Sequence, residues 1–138
     1  MFKLTKLTDY ALVIISYLDN KENAIDAKEL ARQTMLSYHT VAKICKNLSK
    51  QGLLIAIRGA KGGYQLAPKC YEISFLALIE AIEGPLVLTE CGLKDFNCAL
   101  AGHCSVMTPL KKINRLILDA LQAHTLQSFI HMRNDSVA

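Results

Sequence analysis

No run of this 138-residue sequence is long and apolar enough to cross a bilayer. The longest, such as Ala11 to Ile15, fall far short of the ~20 residues a spanning helix needs. The opening residues, Met1-Phe2-Lys3-Leu4-Thr5-Lys6, read as a polar helix start, with no apolar h-region or small-residue cleavage site. A cytoplasmic protein with no membrane partner is expected. Internal repeats and low-complexity tracts are missing. With 51% hydrophobic and 20% charged residues, disorder is excluded as an overall state. A disulfide framework is not expected either: the five cysteines are an odd number, and cytosolic thiols stay reduced. Free thiols or metal ligands are left. The length suits one domain, or one domain with an appended dimerisation element, and can bury a core without staples.

The most informative shortage is of negative charge. The net charge is only +4, yet no Asp or Glu occurs from Ala31 to Tyr71, a segment that holds Arg32, Lys43, Lys46, Lys50, Arg58, Lys61 and Lys69. Segregated positive charge is the footprint of a protein that binds phosphate backbones. The plainer alternative is a solvated basic face with no partner.

The patterning gives that charge a scaffold. Thr8 is placed to cap a first helix, with Leu7, Ala11, Ile14, Ile15 and Leu18 as its buried stripe. Asp26 caps a short second helix, with Glu29 three residues on as in a capping box. After a tight Thr34-Met35-Leu36 connection, Ser37 caps a third helix that ends near Gln51-Gly52 and carries Val41, Ile44, Cys45 and Leu48 as its core stripe. Two short helices joined this way form a helix-turn-helix. Ser37, Tyr38, His39, Thr40, Lys43, Lys46 and Asn47 are then the candidate DNA contacts of a recognition helix; for His39 a capping or surface role is equally open. Leu53 to Ile57 and Tyr64 to Ala67 flank Arg58-Gly-Ala-Lys-Gly-Gly63, a strand, turn and strand that predict a β-hairpin wing. Arg58 and Lys61 at its tip suit a minor groove. A phosphate-binding loop fails as a rival, because no Lys-Ser/Thr pair and no helix follow the glycines.

Ser74 caps a further helix that Gly84-Pro85 ends. Thr108 caps a last helix, with Pro109 at its first position, that runs to about Ala123 and is lined by Leu110, Ile113, Leu116, Ile117, Ala120 and Leu121. So apolar a helix on a small chain needs its own first helix or a second copy to cover it. Residues after His131 read as frayed. The expected fold is mainly α with a small β-wing, divided into a winged helix-turn-helix over 1–84, a cysteine-rich loop over 85–107, a dimerisation helix over 108–131 and a flexible tail over 132–138.

Within the loop stand Cys91, Cys98 and Cys104, the first pair separated by six residues and the second by five. Thiolates are soft ligands, and three from one flexible segment can hold iron–sulfur, zinc or copper. Structural zinc favours closely spaced CxxC pairs, which this chain lacks. A dithiol redox enzyme would need such a pair at a helix N-terminus, so no enzymatic role is expected. Cys45 lies on a core stripe and reads as a small hydrophobe; Cys70 is open. His124 and His131 carry no signal.

Leu7-Thr8-Asp9-Tyr10, Arg58-Gly-Ala-Lys-Gly-Gly-Tyr64 and Ile79-Glu-Ala-Ile-Glu-Gly84, followed by the three-cysteine loop, together resemble the IscR/NsrR-type winged-helix transcription regulators, from about Leu4 to Leu121. Leu88-Thr-Glu-Cys91 and Ile113-Asn114 look most similar to the branch that regulates the SUF iron–sulfur assembly system. The resemblance implies a homodimer with crossed long helices. It also implies an iron–sulfur cluster, 2Fe-2S ahead of 4Fe-4S, on Cys91, Cys98 and Cys104, and cluster-dependent binding, as a repressor or activator, to double-stranded promoter DNA. The assembly-regulator branch carries a His three residues after the third cysteine, where this chain has Met107. The nitric-oxide-sensing branch uses an Asp of the partner chain that matches Asp9, which on chemistry alone is a helix N-terminal acid. The fourth ligand is open among Asp9 from the other subunit, His103, or none from protein. The alternative is a cluster-free regulator of the same fold that responds to thiol oxidation or nitric oxide.

Overall fold

The computed structural model describes residues 3–136. The start expected at Met1-Phe2 and the end of the expected tail, Val137-Ala138, lie outside them. Six helices and one hairpin follow in order: α1 (Lys6–Leu18), α2 (Ala27–Thr34), α3 (Tyr38–Lys50), β1 (Leu54–Ile57), β2 (Gly63–Leu66), α4 (Phe75–Glu83), α5 (Met107–Gln122) and α6 (Leu126–Ser136). No helix among the described residues is long and apolar enough to cross a membrane.

The core forms where the predicted stripes meet. Ala11, Ile14, Ile15 and Leu18 of α1, Leu30 of α2 and Val41, Ile44, Cys45 and Leu48 of α3 are all buried and share one cluster with Leu53, Leu54, Cys70 and Leu78. Each such aliphatic side chain contributes about 1.5–3 kcal/mol on leaving water. Asp26 caps α2 through the Glu29 N–H at 2.8 Å, and Ser37 caps α3 through the Thr40 N–H at 3.2 Å. The Glu29 side chain does not complete a capping box; it turns forward to Arg32 and Gln33. Met35 closes α2 in the left-handed conformation, φ 61°.

Strands β1 and β2 pair antiparallel from Leu54↔Leu66 to Ile57↔Gly63, as the wing pattern predicts. A third segment joins them: Ile25 and Tyr64 exchange both backbone hydrogen bonds, at 3.0 and 2.8 Å. That pairing requires Gly63, which sits at φ 149° against Ile25, where any Cβ would overlap the Ile25 backbone.

Thr8 does not cap α1. Thr5 is the N-cap, and Thr8 is fully buried in the first turn. Its hydroxyl donates to Glu83 Oε1 at the end of α4, which also accepts from the N–H and the hydroxyl of Thr5, each at 2.8 Å. Thr108 does not cap α5 either; that helix opens at Met107 from Val106, without a side-chain cap.

Nor does a single helix run on to His131. The chain breaks after Ala123 because Thr125 and Ser128 cap each other, with Ser128 N–H to Thr125 Oγ1 at 3.1 Å and Thr125 N–H to Ser128 Oγ at 3.0 Å. Residues 132–136, expected to be frayed, are helical. Leu126 and Ile130 are buried, and the Phe75 and Phe129 rings stack with centroids 5.3 Å apart. Arg133 reaches Ser16 O at 2.9 Å and Asp19 at 3.3 Å, beside the Tyr71 hydroxyl, which donates to Asp19 at 2.9 Å. An acid at the C-terminus of α1 is disfavoured by the helix dipole, and the Arg133 cation offsets it.

Partial burial pushes the Glu83 carboxyl up, but the hydrogen bonds from Thr8 and Thr5 outweigh it and hold the group below its usual range. A depressed carboxyl stabilises the fold above its unfolded pKa, and that contribution is lost as pH falls through the folded value. Glu83→Gln, uncharged throughout, should therefore melt below the parent at neutral pH, by about 1–3 kcal/mol for charge-assisted bonds weakened to neutral ones. The gap should close on acidification, as read by thermal melts across pH.

Candidate nucleic-acid interface and cysteine loop

Side chains off the core stripe of α3 face outward because the stripe occupies one side of the helix. Ser37, Tyr38, His39, Lys43 and Lys46 are exposed, and Thr40 and Asn47 are half-buried. Ser37 and Thr40 engage each other as well as the helix start, hydroxyl to hydroxyl at 2.8 Å, so they shape the first turn of α3. Lys43 and Asn47 flank a small cavity lined with Leu7, Ile44, Leu48 and Ile82. Arg58 and Lys61 project from the exposed wing turn. Lys61 also borders the cleft that holds Glu22, Asp26 and Glu29.

Among the described residues, Lys43, Lys46, Arg58 and Lys61 have no acid within ion-pair distance; the pairs present are Arg32–Glu29, Arg115–Asp119 and Arg133–Asp19. Arg32 thus drops out of the uncompensated basic set. Its bidentate contact holds the Glu29 carboxyl down to about 2. One exposed feature was not read from the sequence: Met35, 89% exposed, in the turn directly before α3. The signal was the connection's length, which forces a left-handed residue where no glycine stands.

The cysteines fall into two classes. Cys45 and Cys70 are fully buried, and burial pushes their thiols up to about 12 and about 11, so both are inert. Cys91, Cys98 and Cys104 are free and half-exposed, all on the irregular segment between α4 and α5. Cys91 lies in a short 3-10 turn, Glu90–Gly92, with its Sγ 3.0 Å from Thr89 Oγ1. Cys98 O accepts from Ala101 N–H at 3.1 Å, closing the next turn. Asp9 is exposed in the first turn of α1, and His103 is exposed beside Cys104.

Among the described residues, no three His, Cys, Asp or Glu side chains converge as a metal site. The donor set still fits a soft metal: three accessible thiols on a segment that holds only short turns, with no α-helix or strand. What the described residues of this single chain lack is their convergence; His103 stands beside Cys104, but the three thiols do not meet around it.

Helix α5 carries two apolar faces where one was expected. Leu110, Asn114, Ile117, Leu118 and Leu121 are half-buried against their own chain. Val106, Pro109, Ile113, Leu116, Ala120 and Ala123 are all exposed, with Ile113 at 50% and Leu116 at 64%. Their alternating three- and four-residue spacing is that of a helix-packing seam.

A family model described as Rrf2, iron-dependent transcriptional regulator, matches residues 4–132. The HTH-type transcriptional regulator NsrR of Geobacillus kaustophilus is 32% identical over 134 residues, covering 95% of this chain and 91% of that protein. Its namesake in Oceanobacillus iheyensis is 30% identical over 138 residues, covering 98% and 94%. The solved structure of CymR, titled the global cysteine regulator of B. subtilis, superposes with a TM-score of 0.72 at 27% identity, covering 96% of this chain and 98% of that one. The resemblance to the IscR/NsrR type and the winged-helix fold are both borne out. With its uncompensated basic face on a helix-turn-helix and its wing, this chain belongs to the Rrf2 family of transcriptional regulators.

Proposed function

We propose that this transcriptional regulator works as a homodimer on double-stranded promoter DNA, and that an iron–sulfur cluster held by Cys91, Cys98 and Cys104 sets its affinity. The observation that carries the reading is the division of the cysteines: the two in the winged domain are sealed in the core, and the three between α4 and α5 are open together. Asp9 of the partner subunit is the fourth donor in this reading, since its carboxylate is exposed. Once bound, a cluster supplies a labile inorganic core that iron supply, oxygen or nitric oxide can alter; 2Fe-2S is favoured over 4Fe-4S.

The chain's own residues do the rest. Residues 1–84 grip DNA: Ser37, Tyr38, His39, Thr40, Lys43, Lys46 and Asn47 address the major groove, and Arg58 and Lys61 the minor groove. Residues 85–107 hold the ligands. The exposed seam of α5 meets its copy, which places two recognition helices at a spacing that must match half-sites about one DNA turn apart, roughly 34–36 Å. Gathering three thiols orders the segment, because metal-binding energy is folding energy, and a small change at α5 is then felt at the half-sites.

A second reading has its own support. The thiols are not gathered in the single chain, and one structural neighbour is titled a cysteine regulator. In that reading the open thiols respond to oxidation directly.

Anaerobic loading with ferrous iron and sulfide should produce a visible absorption band that Cys98→Ala lacks. A colourless parent protein whose promoter binding still shifts when the loop thiols are oxidised would establish the second reading instead. Arg58→Ala should weaken promoter binding roughly tenfold, about 1.4 kcal/mol, in gel-shift titrations while leaving that band unchanged. Leu116→Asp should turn the dimer into a monomer in sedimentation experiments with helicity retained, because the residue is already 64% exposed in the single chain.

A further inference from the structure

The cysteine segment leaves the body at Gly84 and returns at Val106, and most of its hydrogen bonds are local. Gly92 N–H to Thr89 O, Leu93 N–H to Glu90 O and His103 N–H to Leu100 O, each 2.9 Å, close turns within it. Two bonds reach out of it. The Leu86 N–H approaches Glu80 Oε1 at 3.4 Å, the edge of hydrogen-bonding range. The Leu88 N–H donates to Asn114 Oδ1 at 2.8 Å. The second is the well-formed tie, and it ends in the middle of α5.

We propose that Asn114 is a positioning residue that couples the cysteine segment to the dimerisation helix, so that the state of the thiols reaches α5 through the Leu88–Asn114 hydrogen bond. This rests on the reading above, in which α5 dimerises and the segment binds the effector.

The geometry supports it in three ways. First, Asn114 stands between Leu110 and Leu118 on the inward face of α5, a polar residue within an apolar stripe. Asn is a poor helix former whose side chain competes for backbone groups; here the backbone group it holds belongs to another segment. Second, Cys91 is three residues from Leu88, and its Sγ contacts Thr89 Oγ1 at 3.0 Å. Three residues span at most about 10 Å, so the Cys91 thiol moves on a short leash from α5. Third, Cys104 is three residues before Met107, where α5 begins. The segment is thus fastened to α5 at both ends, about 10 Å apart along the helix at 1.5 Å per residue. Drawing Cys91, Cys98 and Cys104 together loads the first two turns of α5, and Ile113 and Leu116 of the exposed seam lie within or next to that stretch.

Asn114→Leu keeps the size and removes the acceptor; Asn114→Asp keeps an acceptor oxygen. Two quantities decide: amide hydrogen exchange at Leu88 in the metal-free protein, and the ratio of promoter affinities with the thiols loaded and free. Asn114→Leu should speed exchange at Leu88 and bring the affinity ratio from the ordinary allosteric size, about 5- to 150-fold, to near one. Asn114→Asp should restore both. If Leu misfolds by circular dichroism, Asn114→Ala removes the same acceptor and takes its place.

An unchanged affinity ratio despite faster exchange at Leu88, or unchanged exchange, overturns the coupling. A parent protein that takes up no cluster overturns the cluster reading alone. The ratio is then measured with the open thiols alkylated and free, and the same variants decide the coupling.

Discussion

One carboxylate, that of Glu83, joins the two ends of the regulator that matter to each other. Three donors from the first turn of α1 converge on its Oε1, and Glu83 is the last residue of α4 before the chain departs into the cysteine segment. The tie fixes where that segment starts relative to α1, the helix that carries Asp9. It also explains why two short motifs far apart in the chain, one around Thr8 and one ending at Glu83-Gly84, both read as signatures: they are the two halves of one contact. A buried hydroxyl with no acceptor costs about 1–3 kcal/mol, so Thr8 and Glu83 depend on each other.

Much of the winged domain was legible because its signals are local. The stripes of α1 and α3, the Asp26, Ser37 and Ser74 caps and the glycine-rich turn each follow from spacing within a few residues. The failures were of two kinds. Thr8 looked like a cap because threonine before a helical stripe usually is one, whereas its partner lies 75 residues away. Helix α6 was missed because its polar end reads as fraying; its order comes from Arg133 reaching Asp19 and from Phe129 stacking on Phe75, contacts that no window of sequence contains. The Thr125-x-x-Ser128 pair was the local cue that a new helix begins.

The candidate site was legible in residue type but not in assembly. Position separated most of the thiols, with Cys45 on a core stripe and Cys91, Cys98 and Cys104 in a stretch without period; the sealing of Cys70 came only from the packing. Which lysines stay uncompensated did not, because Arg32 is neutralised by a neighbour on its own helix. The outward seam of α5 was hidden inside one broad apolar pattern, and only the packing separates Leu110, Ile117 and Leu121 from Ile113, Leu116 and Ala120.

The approach of Gly63 to Ile25 bears on how such a protein is switched. A hairpin hinged only at its base would swing independently, and an effector could retract it from the duplex like a finger. Here the backbone of Ile25 is stitched into Tyr64, so hairpin, second helix and reading helix travel as a single rigid plate. In the homodimer proposed above, control over operator occupancy would then come from the tilt and distance between two such plates, not from flexure inside either one.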